Sequence, residues 1–464
     1  DHDGSGSEPP YRGANFYEDW EKPIHVEFYE PDGTLAFSED AGTKIHGGWS
    51  RSHPQKSMSV FFRGEYGTID IDYQIFPDLE IDEFSAFILR NSANDWGYTM
   101  LRDAMMQGLV SELDLETQAY RPCTVFINGQ YWGILNLREK LNEEYLATHF
   151  NVDADSVDML EGYNSVIEGS ADHYNTMLQY IEDNGVVEEV HFDHITGMMD
   201  VDNFIDYQVA QIFWDNRDWP GNNIKFWRPQ RPGGKWRWLM YDTDFGFGLY
   251  RSQGYTRNSL EFATDPASGV DWPNPPWSTF LLRELLKNET FETRFINRFA
   301  DHLNTIFRPD TVIAQIDAKE AALEPEWNTH YNMWSQQHWW LPQSQMGRDL
   351  ASWHNEVDKL REFANNRPTY VRAHLTGYFG IPGEVTVTLN VMPTDGGHVR
   401  VNSVIPEQYP WEGMYFETVP IKVQAIPSPG YRFDGWTGIE DDETATVHLT
   451  PDSDLDITVS RSEE

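Results

Sequence analysis

Apolar and polar positions alternate early in the chain. Ile24, Val26 and Phe28 fall on one face of an extended segment, and Pro31-Asp32-Gly33 marks the turn after it. Lys44-Ile45-His46-Gly47-Gly48 reads as a glycine-rich corner, after which Ser57 to Phe62 alternates again. Residues 84–90 (FSAFILR) predict another strand. Met100, Leu101, Ala104, Met105, Leu109 and Val110 keep helical spacing, so 99–116 predicts a helix. Residues 124–137 predict a hairpin about Asn128-Gly129, because both residues accept the positive φ of a two-residue turn. Helices follow at about 139–149, 172–183 and 200–213, then a strand at 235–239.

Residues 277–378 predict a mostly helical region. Phe280, Leu281, Leu285, Leu286, Phe291, Phe295, Ile296, Phe299 and Leu303 keep that period, as do Leu350, Trp353, Val357, Leu360 and Phe363. Trp327, Trp334, Trp339, Trp340 and Trp353 share the region and are expected in its core or in a lid over a cleft. After Pro382-Gly383 the period changes to two, with Val385, Val387 and Leu389 and then Ile421, Val423 and Ala425 alternating. The expected organisation is a linker over 1–20, an α+β domain over 21–382 and a small all-β domain over 383–464. Tyr431, Phe433 and Trp436 are expected to form that module's own core, and Asp452, Asp454 and Asp456 a solvated strand edge.

Composition narrows the function. The chain has 464 residues, 39% of them apolar, which is enough for a sizeable core. A net charge of −41 opposes binding to nucleic-acid phosphates or to anionic membrane surfaces. The single cysteine, Cys123, excludes an intrachain disulfide and cysteine-based zinc sites. No run of 18 apolar residues offers a membrane span. The opening DHDGSGSEPPY reads as the mature end of an exported protein or the edge of an excised piece.

The richest chemistry lies at 214–248. Asp218 precedes Asn223 by five positions, the spacing of the protein-kinase catalytic loop, where the Asp accepts a hydroxyl proton and the Asn holds a metal ion. Asp242 and Asp244 stand two apart, so a strand would turn both carboxylates to one face as hard ligands for Mg²⁺. An acidic loop in an acidic protein is the plainer explanation of either feature alone. Near Gly47-Gly48, Arg51 and Lys56 could meet a phosphate that the glycine backbone approaches. Glu139, in Arg138-Glu139-Lys140 at a strand-to-helix junction, could orient a phosphate-binding lysine through an ion pair, or serve as an ordinary first-turn glutamate.

Five stretches together resemble the spore-coat-protein-H (CotH) kinase-like family: IHGGWSRSHPQKSMSVFF, NSANDWGYTMLRDAM, VFINGQYWGILNLREKLN, VDNFIDYQVAQIFWDNRDWPGNNIKFW and WRWLMYDTDFGFG. The resemblance runs from about 24 to 381. It implies an atypical protein-kinase-like fold that binds ATP with Mg²⁺ and phosphorylates Ser or Thr of an exported or surface protein. By the resemblance, Lys56 is the nucleotide lysine, Glu139 its partner, Asp218 the catalytic base, Asn223 a metal ligand and Asp242 the principal metal ligand. The literal string Asp244-Phe245-Gly246 spells the kinase metal-binding tripeptide, and Asp244 is expected as a second or water-mediated ligand. The Trp219-Pro220-Gly221 stretch departs from the usual loop. Gly430 to Gly438 (GYRFDGWTG) resembles small β repeats of bacterial surface proteins, which implies a secreted or cell-surface location and a surface or matrix partner. The rival expectation is a non-catalytic surface or assembly protein on the same scaffold, since ATP is scarce outside cells.

Overall fold

Lys22–Tyr29 (β1) and Leu35–His46 (β2) pair antiparallel about the Pro31-Asp32-Gly33 turn, where Gly33 takes φ +84. The computed structural model describes residues 11, 13–266, 272–337, 348–440 and 444–463. Ser57–Phe61 (β3), the short pair Ile71–Asp72 (β4) and Glu83–Phe84 (β5), Ala86–Arg90 (β6), Tyr120–Ile127 (β7) and Gln130–Glu139 (β8) follow. Six of these strands make one antiparallel sheet in the order β1-β2-β3-β6-β8-β7. Ala41, Val60, Phe62, Ile75, Phe76, Phe87 and Leu137 pack together as its own apolar cluster. The expected hairpin forms about Asn128-Gly129, both at positive φ.

The helix expected over 99–116 is shorter, Arg102–Leu109 (α1). The buried Asp95 carboxylate accepts the backbone N–H of Thr99, Leu101 and Arg102, each at 3.1 Å, and holds the preceding residues as a turn. Glu143–Phe150 (α2) starts later than expected because Glu139 stays on β8 and Asn142 caps the helix through Tyr145 N–H. A second sheet combines Val157–Glu161 (β9), Ser165–Glu168 (β10), Lys225–Pro229 (β11) and Arg237–Leu239 (β12) in the order β10-β9-β11-β12. Asp172–Asn184 (α3), Glu189–Thr196 (α4) and Val201–Phe213 (α5) lie between β10 and β11 in the chain. Nearly all of α5 is buried: its apolar residues form the centre of the largest core, and Asn203, Asp206, Gln208 and Gln211 are buried polar side chains on the same helix.

The helical region consists of Ser259–Thr264 (α6), Pro276–Leu285 (α7), Glu289–Leu303 (α8), Pro309–Gln337 (α9) and Leu350–Phe379 (α10). Trp327, Trp334 and Trp353 are core residues, with Trp327 stacked on Trp353 at 4.3 Å; Trp339 and Trp340 lie outside the described residues. Among the described residues no helix is long and apolar enough to cross a membrane.

Beyond Pro382-Gly383 every named element is a strand: Glu384–Met392 (β13), Gly397–Val401 (β14), Trp411–Phe416 (β15), Ile421–Pro427 (β16), Tyr431–Thr437 (β17), Thr446–Leu449 (β18) and Leu455–Glu463 (β19). They form sheets β15-β13-β19-β17 and β14-β16-β18. Trp436 is buried, with Phe433 5.5 Å away. This core is continuous with the helical one, since a single cluster joins Phe295 and Phe299 to Val385, Val387 and Tyr415. Asp301 on α8 accepts hydrogen bonds from Ser403 and Tyr415 across the junction.

Two expectations need correction here. Ala14 and Phe16, within the stretch read as a linker, are buried. The acidic run at 452–456 is solvent-exposed, as expected, but is no sheet edge: Asp452 and Asp454 precede β19, and Asp456 lies on β19, a strand between β13 and β17. Asp454 accepts Thr386 N–H at 2.7 Å and Asp456 accepts from Asn390 at 2.9 Å.

Candidate functional site

The loop after α5 is held from below. Arg367 of α10 donates to the carbonyls of Ile212 and Phe213, capping the helix C-terminus with a buried cation. Asp215, at φ +52, accepts Ser259 Oγ at 2.6 Å and Arg257 Nη1 at 3.2 Å. The Trp219-Pro220-Gly221 stretch packs inward. Trp219 is buried, Gly221 N–H donates to Pro273 O at 2.6 Å, and a Cβ on Gly221 would meet Pro275 Cδ at 2.2 Å, so only glycine fits. This closes the loop and brings Asn223, at φ +52, back to Asp218. Asn223 Nδ2 donates to Asp218 Oδ2 at 2.9 Å and to the Asp242 carbonyl at 3.3 Å. Asn222 Nδ2 at 2.8 Å and Trp272 Nε1 at 2.5 Å donate to the other Asp218 oxygen. Burial raises the Asp218 pKa and the nearby Asp242 charge adds to the rise, while these hydrogen bonds oppose it.

Asp242 and Asp244 do not lie on a strand, as their spacing suggested. β12 ends at Leu239, and Asp242 takes φ +52. Thr243 between them donates its N–H and hydroxyl to Asp103 Oδ1 at 2.9 and 3.0 Å. Asp103 is itself paired with buried Arg138 at 2.8 Å, and the charges of Arg138 and Arg90 hold it ionised against the cost of burial. The two carboxylates still converge, on Arg90: its Nη2 is 2.5 Å from Asp242 Oδ1 and 3.0 Å from Asp244 Oδ2. Both Asp244 oxygens also accept from Asn94, through its N–H and its side-chain amide. Burial first, and then Asp242, raise the Asp244 pKa.

The expected Lys56–Glu139 ion pair does not form. Lys56 Nζ donates to the carbonyls of Arg51 and His53 at 2.7 and 2.6 Å and lies 4.1 Å from the Phe16 ring centroid. Burial lowers its pKa to about 8. Arg51 donates to Gly47 O at 2.6 Å and Phe16 O at 3.2 Å. Glu139 accepts Ala119 N–H at 2.8 Å and lies 2.6 Å from His149 Nε2. Sheet register gives the reason. Glu139 stands opposite Phe87, and Phe87 opposite Val60, so Glu139 is level with a position four residues past Lys56. At roughly 3.3 Å per residue that is ~13 Å along the strands, with β6 between them.

Other cations gather where Lys56 was expected. Arg90 ends β6, Lys140 follows β8, and Lys225 opens β11. Lys140 and Lys225 have no hydrogen-bonding or carboxylate partner within 4 Å among the described residues. Their Nζ atoms lie 5.5 Å from the Phe61 and 4.7 Å from the Tyr241 ring centroid. Burial lowers both pKa values; Lys225 repels Lys140, and the Asp242 charge reaches Lys225. Burial and the surrounding Arg90, Lys140, Lys225 and Arg51 push the His46 pKa to about 3. Sequence reasoning missed these cations as site residues. Lys225 carried a signal, since it stands two positions past Asn223 at a strand start. Arg90 carried none.

Two side-chain oxygens here are open to a hard divalent ion. Among the described residues nothing donates to the second oxygen of Asp242 or to the side-chain carbonyl of Asn223. Asp244 is already fully engaged. No three His, Cys, Asp or Glu side chains gather as a metal cage among the described residues, so an ion here would draw further ligands from phosphate and water, as Mg²⁺ commonly does.

No curated protein matches the chain. A family model described as CotH kinase protein matches residues 43–371, well over half of its length.

Proposed function

From membership of the CotH kinase family, to which this chain belongs, we propose an ATP- and Mg²⁺-dependent phosphotransferase acting on Ser or Thr of an exported or surface protein. The observation that supports it is the hydrogen-bonded group Asp218–Asn223–Asp242, set beside the buried cations Lys140, Lys225 and Arg90 in a strongly acidic protein.

In this reading Asp218 orients the acceptor hydroxyl and takes its proton. Its raised pKa makes it a better base than a surface aspartate, and Asn222, Asn223 and Trp272 fix its direction. Asn223 and Asp242 would hold the metal, with Asp244 behind them steering through Arg90. Mg²⁺, when bound, neutralises charge on the transferring phosphoryl group. Lys140, Lys225 and Arg90 face the phosphates in place of Lys56. Lys56 and Arg51 instead tie the glycine-rich corner to Phe16, and Glu139 braces the end of β8 on α2 through His149. The C-terminal β module is the proposed contact to a surface or matrix partner.

Calorimetric titration of a non-hydrolysable ATP analogue with Mg²⁺ tests the reading. Wild type and Asp218→Asn should both bind and Asp242→Ala should lose the Mg²⁺-dependent part of binding; with ATP itself and a Ser/Thr acceptor, only wild type should transfer phosphate. If wild type binds no nucleotide, the non-catalytic surface-protein reading replaces this one.

A further inference from the structure

One nitrogen of Arg90 bridges two carboxylates, at the point where a shared cation would sit. The two ends of the bridge differ. Asp244 is 1% exposed and held by Asn94, whereas Asp242 is 31% exposed and its second oxygen accepts from nothing among the described residues. Arg90 is also incompletely satisfied, because its Nε is buried with no hydrogen-bond partner among the described residues. A guanidinium that is incompletely satisfied suits a phosphate, two of whose oxygens can meet its fork. Lys140 and Lys225, whose Nζ atoms have no hydrogen-bonding or carboxylate partner within 4 Å among the described residues, lie in the same cationic group around His46.

We infer that Arg90 is a standing counter-ion of the Asp242–Asp244 pair that couples divalent-metal binding to nucleotide binding. The inference rests on the phosphotransferase reading. Without nucleotide, a divalent ion approaching Asp242 meets a guanidinium already on that carboxylate and the Lys225 charge beside it. Phosphate oxygens give Arg90 a second set of acceptors and release Asp242. Each ligand therefore raises the affinity for the other by the same factor, roughly 5- to 150-fold. Arg90 is thus a positioning residue that acts through Asp242.

Mn²⁺ binding to the full chain, read by the free-ion electron paramagnetic resonance signal with and without a non-hydrolysable ATP analogue and corrected for the Mn²⁺ that the analogue binds in protein-free controls, tests this. Wild type should bind Mn²⁺ alone weakly and at least fivefold more tightly with the analogue. Arg90→Gln should bind Mn²⁺ alone more tightly than wild type and lose the coupling. Arg90→Lys, which keeps the charge without the fork, should still bind Mn²⁺ alone weakly and lose most of the coupling. Circular dichroism shows which variants are folded; if Arg90→Gln is not, Arg90→Lys decides. Wild-type coupling in Arg90→Lys, or Mn²⁺ affinity in folded Arg90→Gln no higher than wild type, would make Arg90 a fixed structural tie. Wild type binding Mn²⁺ no better with the analogue than without overturns the inference; failure to bind the analogue at all overturns the functional reading with it.

Discussion

His330 is a base kept neutral by its surroundings. Its Nδ1 accepts Ile134 N–H at 3.0 Å, so the ring proton belongs on Nε2, and burial lowers its pKa to about 3. The unfolded chain takes up a proton near pH 6.5 that the folded chain refuses until about pH 3. This contribution to stability is complete above about pH 6.5 and falls away between there and pH 3. His46 and His53, lowered to about 3 and about 4, act in the same direction. The melting temperature should therefore fall as pH drops from 7 to 5, and more shallowly in His330→Gln. At the acidic pair, Asp244→Ala should weaken nucleotide binding while Asp242→Ala removes its metal-dependent part, because only Asp242 has an unengaged oxygen. The reverse order in calorimetry would move the metal to the literal Asp244-Phe245-Gly246 register.

Asp95 shows how one side chain shapes an element. It is buried, accepts three backbone N–H groups and the Thr99 hydroxyl, and pairs with Arg102. This replaces the first turn of the helix that the apolar spacing predicts. Breaking a buried pair by removing one partner costs about 3–5 kcal/mol, because the remaining charge stays out of water. Asp95→Ala should lose that much in urea unfolding, and an exposed aspartate such as Asp452 should lose almost nothing. The apolar period was legible at 99–116, but its start was not. The carboxylate that delays the start acts from outside the periodic stretch.

At the scale of the molecule, the net charge of −41 makes self-repulsion a standing cost. Added salt screens it, with a Debye length near 10 Å at 0.1 M and about 3 Å at 1 M. The melting temperature should rise between those concentrations, and a flat response would mean that local ion pairs already offset the repulsion. The β module and the helical region share one core, tied by Asp301, Asn297 and Arg372 to Ser403, Pro420 and Glu384. Calorimetry should show one unfolding transition, and Asp301→Ala should lower it without splitting it. Two separated transitions would restore the independent module that the change of period at Pro382-Gly383 suggested.

The sequence alone determined what depends on near neighbours. Alternation and helical spacing marked most elements, Asn128-Gly129 set its hairpin, and the five-residue gap let Asp218 and Asn223 meet across one loop. Tertiary structure decided which charges meet. Lys56 and Glu139 read as partners, yet strand register holds them apart, and Arg90 reaches Asp242 across 152 positions. Periodicity records which face of an element turns inward. The register between strands comes from the packing of the whole core, and a shift of a few residues moves a charge farther than an ion pair can span.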